Sequence, residues 1–372
     1  MRPLGRYGRH VPPHHPQHER KDLIPLPTVK RDPRWDNAKF LLILLVVLGH
    51  AIERGCEYYG YDRSLFLFIY SFHMPAFLFI SGLFSKRTVQ ADKYNWKKLL
   101  PYVLVCLVLG FLRDLSIHIR KPEHGFSFYD QNKISWFMLA LFASYSIAWL
   151  LRKYPPKYVF PATIVVGLAV GYVPFISEGF SLSRIIVFFP FFYAGYMLDR
   201  NRFAEFLDKK AVRAGGAFVF LLWFVICVVF EKHVYLLRRL FTGQNNYDEI
   251  PNALGPAEFL YRGLAYLISA VVILGFFTLV PRLSVPHMTE LGARTLSVYF
   301  WHLPVLDVII HMDWAVDFIH ISFWCHLLLS VVLMFGLTYL FSWKPFTVPV
   351  NALLDPWPWL EKLRPKRSKS NA

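Results

Sequence analysis

Two side chains with complementary chemistry, an ammonium at Lys39 and an imidazole at His50, share one apolar stretch. It reads Arg34-Trp-Asp-Asn-Ala-Lys39, then an aliphatic run, then Gly49-His50. The two are eleven positions apart; at about 100° per residue, a helix puts them on one face, about 16 Å apart. Asp36 and Glu53 extend the stripe by about a turn at either end. Imidazole titrates near neutral pH and takes a proton from a hydroxyl nucleophile. Glu53 has the spacing to hold the second ring nitrogen, as a carboxylate holds a catalytic histidine. A histidine that only ties neighbouring helices together has the same spacing, and the residues alone leave both readings open.

Other ionisable groups interrupt apolar segments: His73, Arg184, Arg294, His302, Asp307 and His311. Each costs several kcal/mol in a membrane interior unless it is paired or faces water. His73, in Ser71-Phe-His-Met-Pro75, is either an acceptor-site group or a structural histidine. His302, in Tyr299-Phe-Trp-His-Leu-Pro304, carries the same two readings. Arg184 either meets substrate or snorkels to the interface, and Trp136 is either an interfacial anchor or a substrate wall. Lys93, Lys97 and Lys98 precede Leu99-Leu-Pro101. A basic cluster at a helix start holds phosphates, and it is also what an ordinary positive-inside loop contains.

The elements that must position these groups are membrane helices. The chain has 372 residues, 55% hydrophobic and 18% aromatic, with 35 Phe. Its apolar runs are long enough to span a bilayer, which takes about 20 residues each. The fold class expected is an all-α membrane protein, a bundle of about ten transmembrane helices near 38–53, 64–84, 99–117, 134–151, 158–176, 183–198, 214–230, 259–280, 293–311 and 320–342. The loops at 85–98, 152–157 and 199–213 are basic, while 312–319 holds Asp313 and Asp317 and no base. Alternate positive loops put both termini in the cytoplasm. Residues 1–33 are expected as a disordered, basic, Pro-rich tail, 34–343 as the membrane domain, and 344–372 as a basic C-terminal tail. The net charge of +16 then faces anionic inner-leaflet lipid rather than nucleic acid.

Several chemistries find no motif here. There is no Gly-rich phosphate loop, no Gly-x-Ser-x-Gly elbow and no Cys/His zinc spacing. His10, His14, His15 and His18 lie in the tail without a folded partner shell, so no metal site is expected. Cys106, Cys227 and Cys325 read as core residues, and nothing pairs with Cys56 by spacing.

The stretch Arg34-Trp-Asp-Asn-Ala-Lys-Phe-Leu-Leu-Ile-Leu-Leu-Val-Val-Leu-Gly-His50 resembles the first-helix signature of the acyltransferase-3 family, in its fucose-4-O-acetylase-like branch. Ser71-Phe-His-Met-Pro-Ala-Phe-Leu-Phe-Ile-Ser-Gly82 resembles the second signature. Ser135-Trp-Phe137, Phe188-Phe-Pro-Phe-Phe-Tyr-Ala-Gly195 and Ser297-Val-Tyr-Phe-Trp-His-Leu-Pro304 follow in the family's order. The resemblance covers about residues 31–342. It implies an integral O-acyltransferase of the plasma membrane. Such an enzyme takes acetyl from cytoplasmic acetyl-CoA and delivers it to a hydroxyl of an extracytoplasmic glycan or glycolipid. The family's pair, a basic residue, ten residues, then histidine, falls on Lys39 and His50. Lysine stands where many members have arginine, and Tyr94-Asn-Trp-Lys97-Lys98 stands where many carry Arg-x-x-Arg. Read this way, His50, Glu53 and His73 are catalytic, with His50 as base or acyl carrier. Lys39, Lys97 and Lys98 bind coenzyme A; Trp136, Arg184 and His302 bind the acceptor. A polytopic transporter or flippase of an envelope glycolipid is the competing expectation. It calls for internal repeat symmetry, which the sequence does not display.

Overall fold

The computed structural model describes residues 32–123, 125, 135–177, 181–249 and 257–363. The tail expected over 1–33 and the basic stretch after 363 lie almost wholly outside these residues, as does part of the segment between the expected spans 214–230 and 259–280. Every regular element among the described residues is helical. Helices α1 (Arg34–Ile52), α2 (Gly60–Tyr70), α3 (His73–Leu83), α4 (Trp96–Arg120), α5 (Trp136–Leu151) and α6 (Pro156–Ala169) form the first half. After them come α7 (Leu182–Met197), α8 (Arg200–Asp208), α9 (Lys210–Val229) and α10 (Glu258–Leu279). The chain continues through α11 (Met288–Gly292), α12 (Thr295–Ile309), α13 (Asp313–Ile321), α14 (Phe323–Phe341), α15 (Lys344–Leu354) and α16 (Trp357–Leu363). The last two helices occupy part of the segment read from sequence only as a basic tail.

Ten spans were expected; length and composition support six, or eight if two bent pairs each count as one span. The continuous ones are α1, the 60–83 pair, α4, α9, α10 and α14. Helices α7 and α8 meet at 91°, and α12 and α13 at 82°. The difference has a local cause. Helix α5 has 16 residues and α6 has 14, and neither alone reaches the roughly 20 residues of a full crossing.

Helix α1 is apolar on nearly every side, the pattern of a helix enclosed by others, and it packs against α2, α3, α11, α12 and α14. Its first turn is pinned. Arg34 donates to Ala204 O at 3.0 Å and pairs with Asp208. Asn37 Nδ2 donates to Pro281 O and Leu283 O at 2.9 and 3.0 Å. These bonds fix the rotation of α1, and so the direction its polar stripe faces.

The break between α2 and α3 follows from Pro75. Proline has no N–H, so the carbonyl of Ser71 loses its helical donor. Ser269 Oγ of α10 donates to that carbonyl at 2.5 Å, and Trp223 Nε1 of α9 donates to Ser71 Oγ at 3.0 Å. The kink thereby becomes a joint between three helices. Helix α3 then meets α7 through reciprocal glycines. A Cβ on Gly82 would come within 1.9 Å of Phe192 O, and one on Gly195 within 2.1 Å of Phe79 O. Small residues allow such close approach between membrane helices. Because both obstacles are backbone, Gly82→Ala is expected to cost about 3 kcal/mol, at the upper end of overpacking penalties. The thermal unfolding midpoint of purified protein in detergent measures it; an unchanged midpoint would refute the close contact.

Candidate functional site

The stripe on α1 forms as its spacing predicts. Lys39 Nζ lies 2.8 Å from Asp36 Oδ1, and His50 Nδ1 lies 3.5 Å from Glu53 Oε2. The two ends of the stripe open into two different cavities.

The His50 cavity, about 650 Å³, is lined by groups from seven helices and the turns between them. His50, Glu53, His73, Trp136 and Arg184 all line it, so five of the expected site residues come together. The Arg184 guanidinium lies over the Trp136 ring at 5.0 Å and donates to Gln244. That stacking serves both expectations for Trp136, because one ring walls the cavity and holds its cation. His73 is buried and sets Nδ1 2.7 Å from Ile69 O. A carbonyl only accepts, so Nδ1 carries the proton. His302 lies behind the cavity wall, fully buried, its ring 5.6 Å from that of His50. Its Nδ1 sits 2.9 Å from both Val298 O and Tyr299 O, which fixes the same tautomer. Its Nε2 is therefore a bare acceptor, and it has no hydrogen-bond partner among the described residues.

Sequence reasoning noted Asp307 and His311 but passed over Arg113, Arg54 and Glu57 in this cavity. Arg113 of α4 and Asp307 of α12 pair at 2.8 Å and both line it. Arg54 and Glu57 join them from the turn after α1, and Arg54 Nη1 donates to Ile310 O at 2.9 Å. A signal for Arg113 was present: Arg113-Asp114 interrupts an apolar run. Cys56, in the same turn, has its thiol pushed up to about 12 by burial, so it stays protonated at neutral pH and is a poor nucleophile.

The Lys39 cavity, about 440 Å³, is lined from α1, α3, α4, α5, α12 and α15. Its second cation is Arg294, which donates to Ser342 O at 3.2 Å. Lys97 and Lys98 do not line it. Lys98 Nζ donates to Thr88 Oγ1 at 2.6 Å, and Lys97 Nζ stands 5.8 Å from the Trp357 ring. Between the cavities stand Val46, Met74 and Tyr299, which line both. A chamber lined by acids, arginines and three histidines thus backs onto a cationic, otherwise largely apolar one across a neck of three side chains. Among the described residues no group of three or more His, Cys, Asp or Glu is placed to hold a metal.

A profile of the acyltransferase-3 family, described as an acyltransferase domain, matches residues 32–343. The chain belongs to the acyltransferase-3 family. Among curated relatives, Nodulation protein NolL of Sinorhizobium fredii is 25% identical over 219 residues, 54% of this chain and 57% of that protein. Nodulation protein NolL of Mesorhizobium japonicum is 26% identical over 188 residues, 46% of this chain and 49% of that protein. The chain thus spans about half the length of each. No solved structure matches it. Family membership and the apolar helices mark this chain as a multi-pass membrane protein that carries an acyltransferase-3 domain.

Proposed function

We propose that this acyltransferase moves acetyl from acetyl-CoA, bound on the Lys39 side, to a hydroxyl of a glycan or glycolipid in the His50 cavity. The observation that carries the reading is the pair of cavities at opposite ends of one helix stripe, meeting at Val46, Met74 and Tyr299. Lys39 and Arg294 supply charge for phosphates, and the apolar walls beyond them suit a pantetheine arm. Lys97 and Lys98 contribute from outside the cavity, as a basic rim. In the outer chamber, carboxylates and guanidiniums beside Trp136 suit a polyhydroxylated acceptor, which needs donors, acceptors and an apolar face.

The chemistry follows from the histidine. His50, its Nδ1–H directed at Glu53, uses Nε2 to take the proton from the acceptor hydroxyl. The oxygen attacks the thioester carbonyl, the C–S bond breaks, and the imidazolium returns the proton to the departing thiolate. The products are an acetyl ester and coenzyme A.

On this reading the Lys39 mouth and the basic loops at 85–98, 152–157 and 199–213 face the cytoplasm. Counting the two bent pairs and the short helices α5 and α6 as crossings brings the spans to ten, with both termini on the cytoplasmic side of the plasma membrane. The test is purified protein in liposomes with labelled acetyl-CoA and an envelope extract. Label appearing in a glycan or lipid is the expected result. Export of a glycolipid without acetyl-CoA consumption, across extracts from several envelopes, would replace this reading with a flippase.

A further inference from the structure

A third cavity lies apart from both chambers. It holds about 690 Å³ between α3, α7, α8 and α10. Phe191, Phe206, Ala270 and Ile273 give it apolar walls, and Lys86 and Arg202 stand in its lining. Its rim is uncovered: Met197, Leu198 and Phe206 are 38–39% exposed.

The local geometry explains why charge collects there. Asp199 accepts from the backbone N–H groups of Asn201 and Arg202 at 3.0 Å each, capping α8. That cap turns the chain through 91° from α7, so α8 lies across the bundle rather than along it. Helix α8 carries Phe203 and Phe206 into the cleft and sets Arg202 at its lip. It carries Arg200 and Arg202 together with Glu205 and Asp208, and a crosswise helix with apolar and charged faces is the form that sits at a membrane interface. Lys86, from the turn after α3, also lines the cleft. Neither Lys86 nor Arg202 is in an ion pair among the described residues. Asp199, the one acid in the lining, caps α8 through Oδ1 and offsets one of the two positive charges, which leaves the lining at net +1.

We propose that this cleft binds one anionic glycerophospholipid, its phosphate held between Lys86 and Arg202 and an acyl chain laid against Phe191, Ala270 and Ile273. The argument is charge complementarity joined to an apolar slot open at the interface. Basic pockets between membrane helices hold anionic headgroups in this way, and the walls hold a chain that a free phosphate lacks. The site shares no residue with either chamber, so it stands whether or not the acetyl-transfer reading holds.

The test is a native mass spectrometry titration of delipidated full-length protein with phosphatidylglycerol, with phosphatidylcholine and with inorganic phosphate. Wild type is expected to hold one tightly bound phosphatidylglycerol and neither of the other two. Lys86→Ala/Arg202→Ala should bind it about 30-fold more weakly, from about 1 kcal/mol per basic residue and 1.4 kcal/mol per tenfold. Ala270→Trp, which fills the slot and keeps both cations, should weaken it too. Lys210→Ala/Arg213→Ala removes equal charge outside the cleft and should change nothing. Equal affinity for phosphatidylcholine, equal affinity for phosphate, or full binding by the first variant would each overturn the site. A second copy of the chain retained in place of lipid would do the same.

Discussion

His50→Ala is expected to lower acetyl transfer by at least about 100-fold, since a positioned general base contributes 10²–10⁴, while the protein remains folded. The two halves of that expectation have separate grounds. His50 faces a cavity with 23% of its side chain accessible, so removing it leaves no hole in the packed core. What disappears is the group that receives the hydroxyl proton. Glu53→Gln should cost less, because it removes orientation and charge from Nδ1 but leaves the base in place. His302 adds a further check. Its bare Nε2, buried beside the His50 ring, is an acceptor without a donor, and such an orphan costs about 1–3 kcal/mol. A proton on the neighbouring His50 ring would supply that donor. Turnover should be measured at saturating acetyl-CoA alongside size-exclusion profiles. Wild-type turnover by folded His50→Ala would remove the histidine from the mechanism.

What could be read from sequence divides by range. The α1 stripe was legible because helical periodicity is local. Asp36 and Lys39 pair, and His50 and Glu53 approach, on spacing alone. The consequence of Pro75 was half legible. A freed carbonyl was implied, but Ser269, 198 residues away, could not be named as its donor. Long-range partners depend on helix rotation, which no local pattern encodes. Arg294 stood among the intramembrane ionisable groups, yet only packing placed it beside Lys39 and left Lys97 and Lys98 outside. The bends after α7 and α12 were also invisible, because hydropathy records apolar length and not direction. The acyltransferase-3 family was legible because its signatures are themselves local: each is a short run on one helix or across one kink.

The most distant of the missed pairs makes the second large prediction. Asp62 of α2 and His326 of α14, 264 residues apart, meet at 2.8 Å, each only 1% exposed. Ser330 Oγ lies 3.4 Å from the other ring nitrogen, and the Tyr59 ring stacks 6.0 Å away. The pair also packs on the turn after α1. A Cβ at Gly55 would lie 2.2 Å from both Asp62 Oδ2 and His326 Cε1. That turn carries Arg54 and Glu57 into the wall of the His50 cavity. Asp62→Leu strands a buried imidazole without its acceptor, and the expected cost is about 3 kcal/mol, between a lost buried hydrogen bond and a broken buried ion pair. Asp62→Leu/His326→Leu removes both polar groups at once, and it should be more stable than the single variant. Unfolding midpoints of the single and double variants, read in the same detergent, decide between this account and ordinary packing. If the pair only fills space, the second substitution adds to the loss. If it is a polar tie between α2 and α14, the second substitution recovers part of it. Turnover should fall in the single variant even below its melting temperature, because Arg54 and Glu57 lose the support that sets their position.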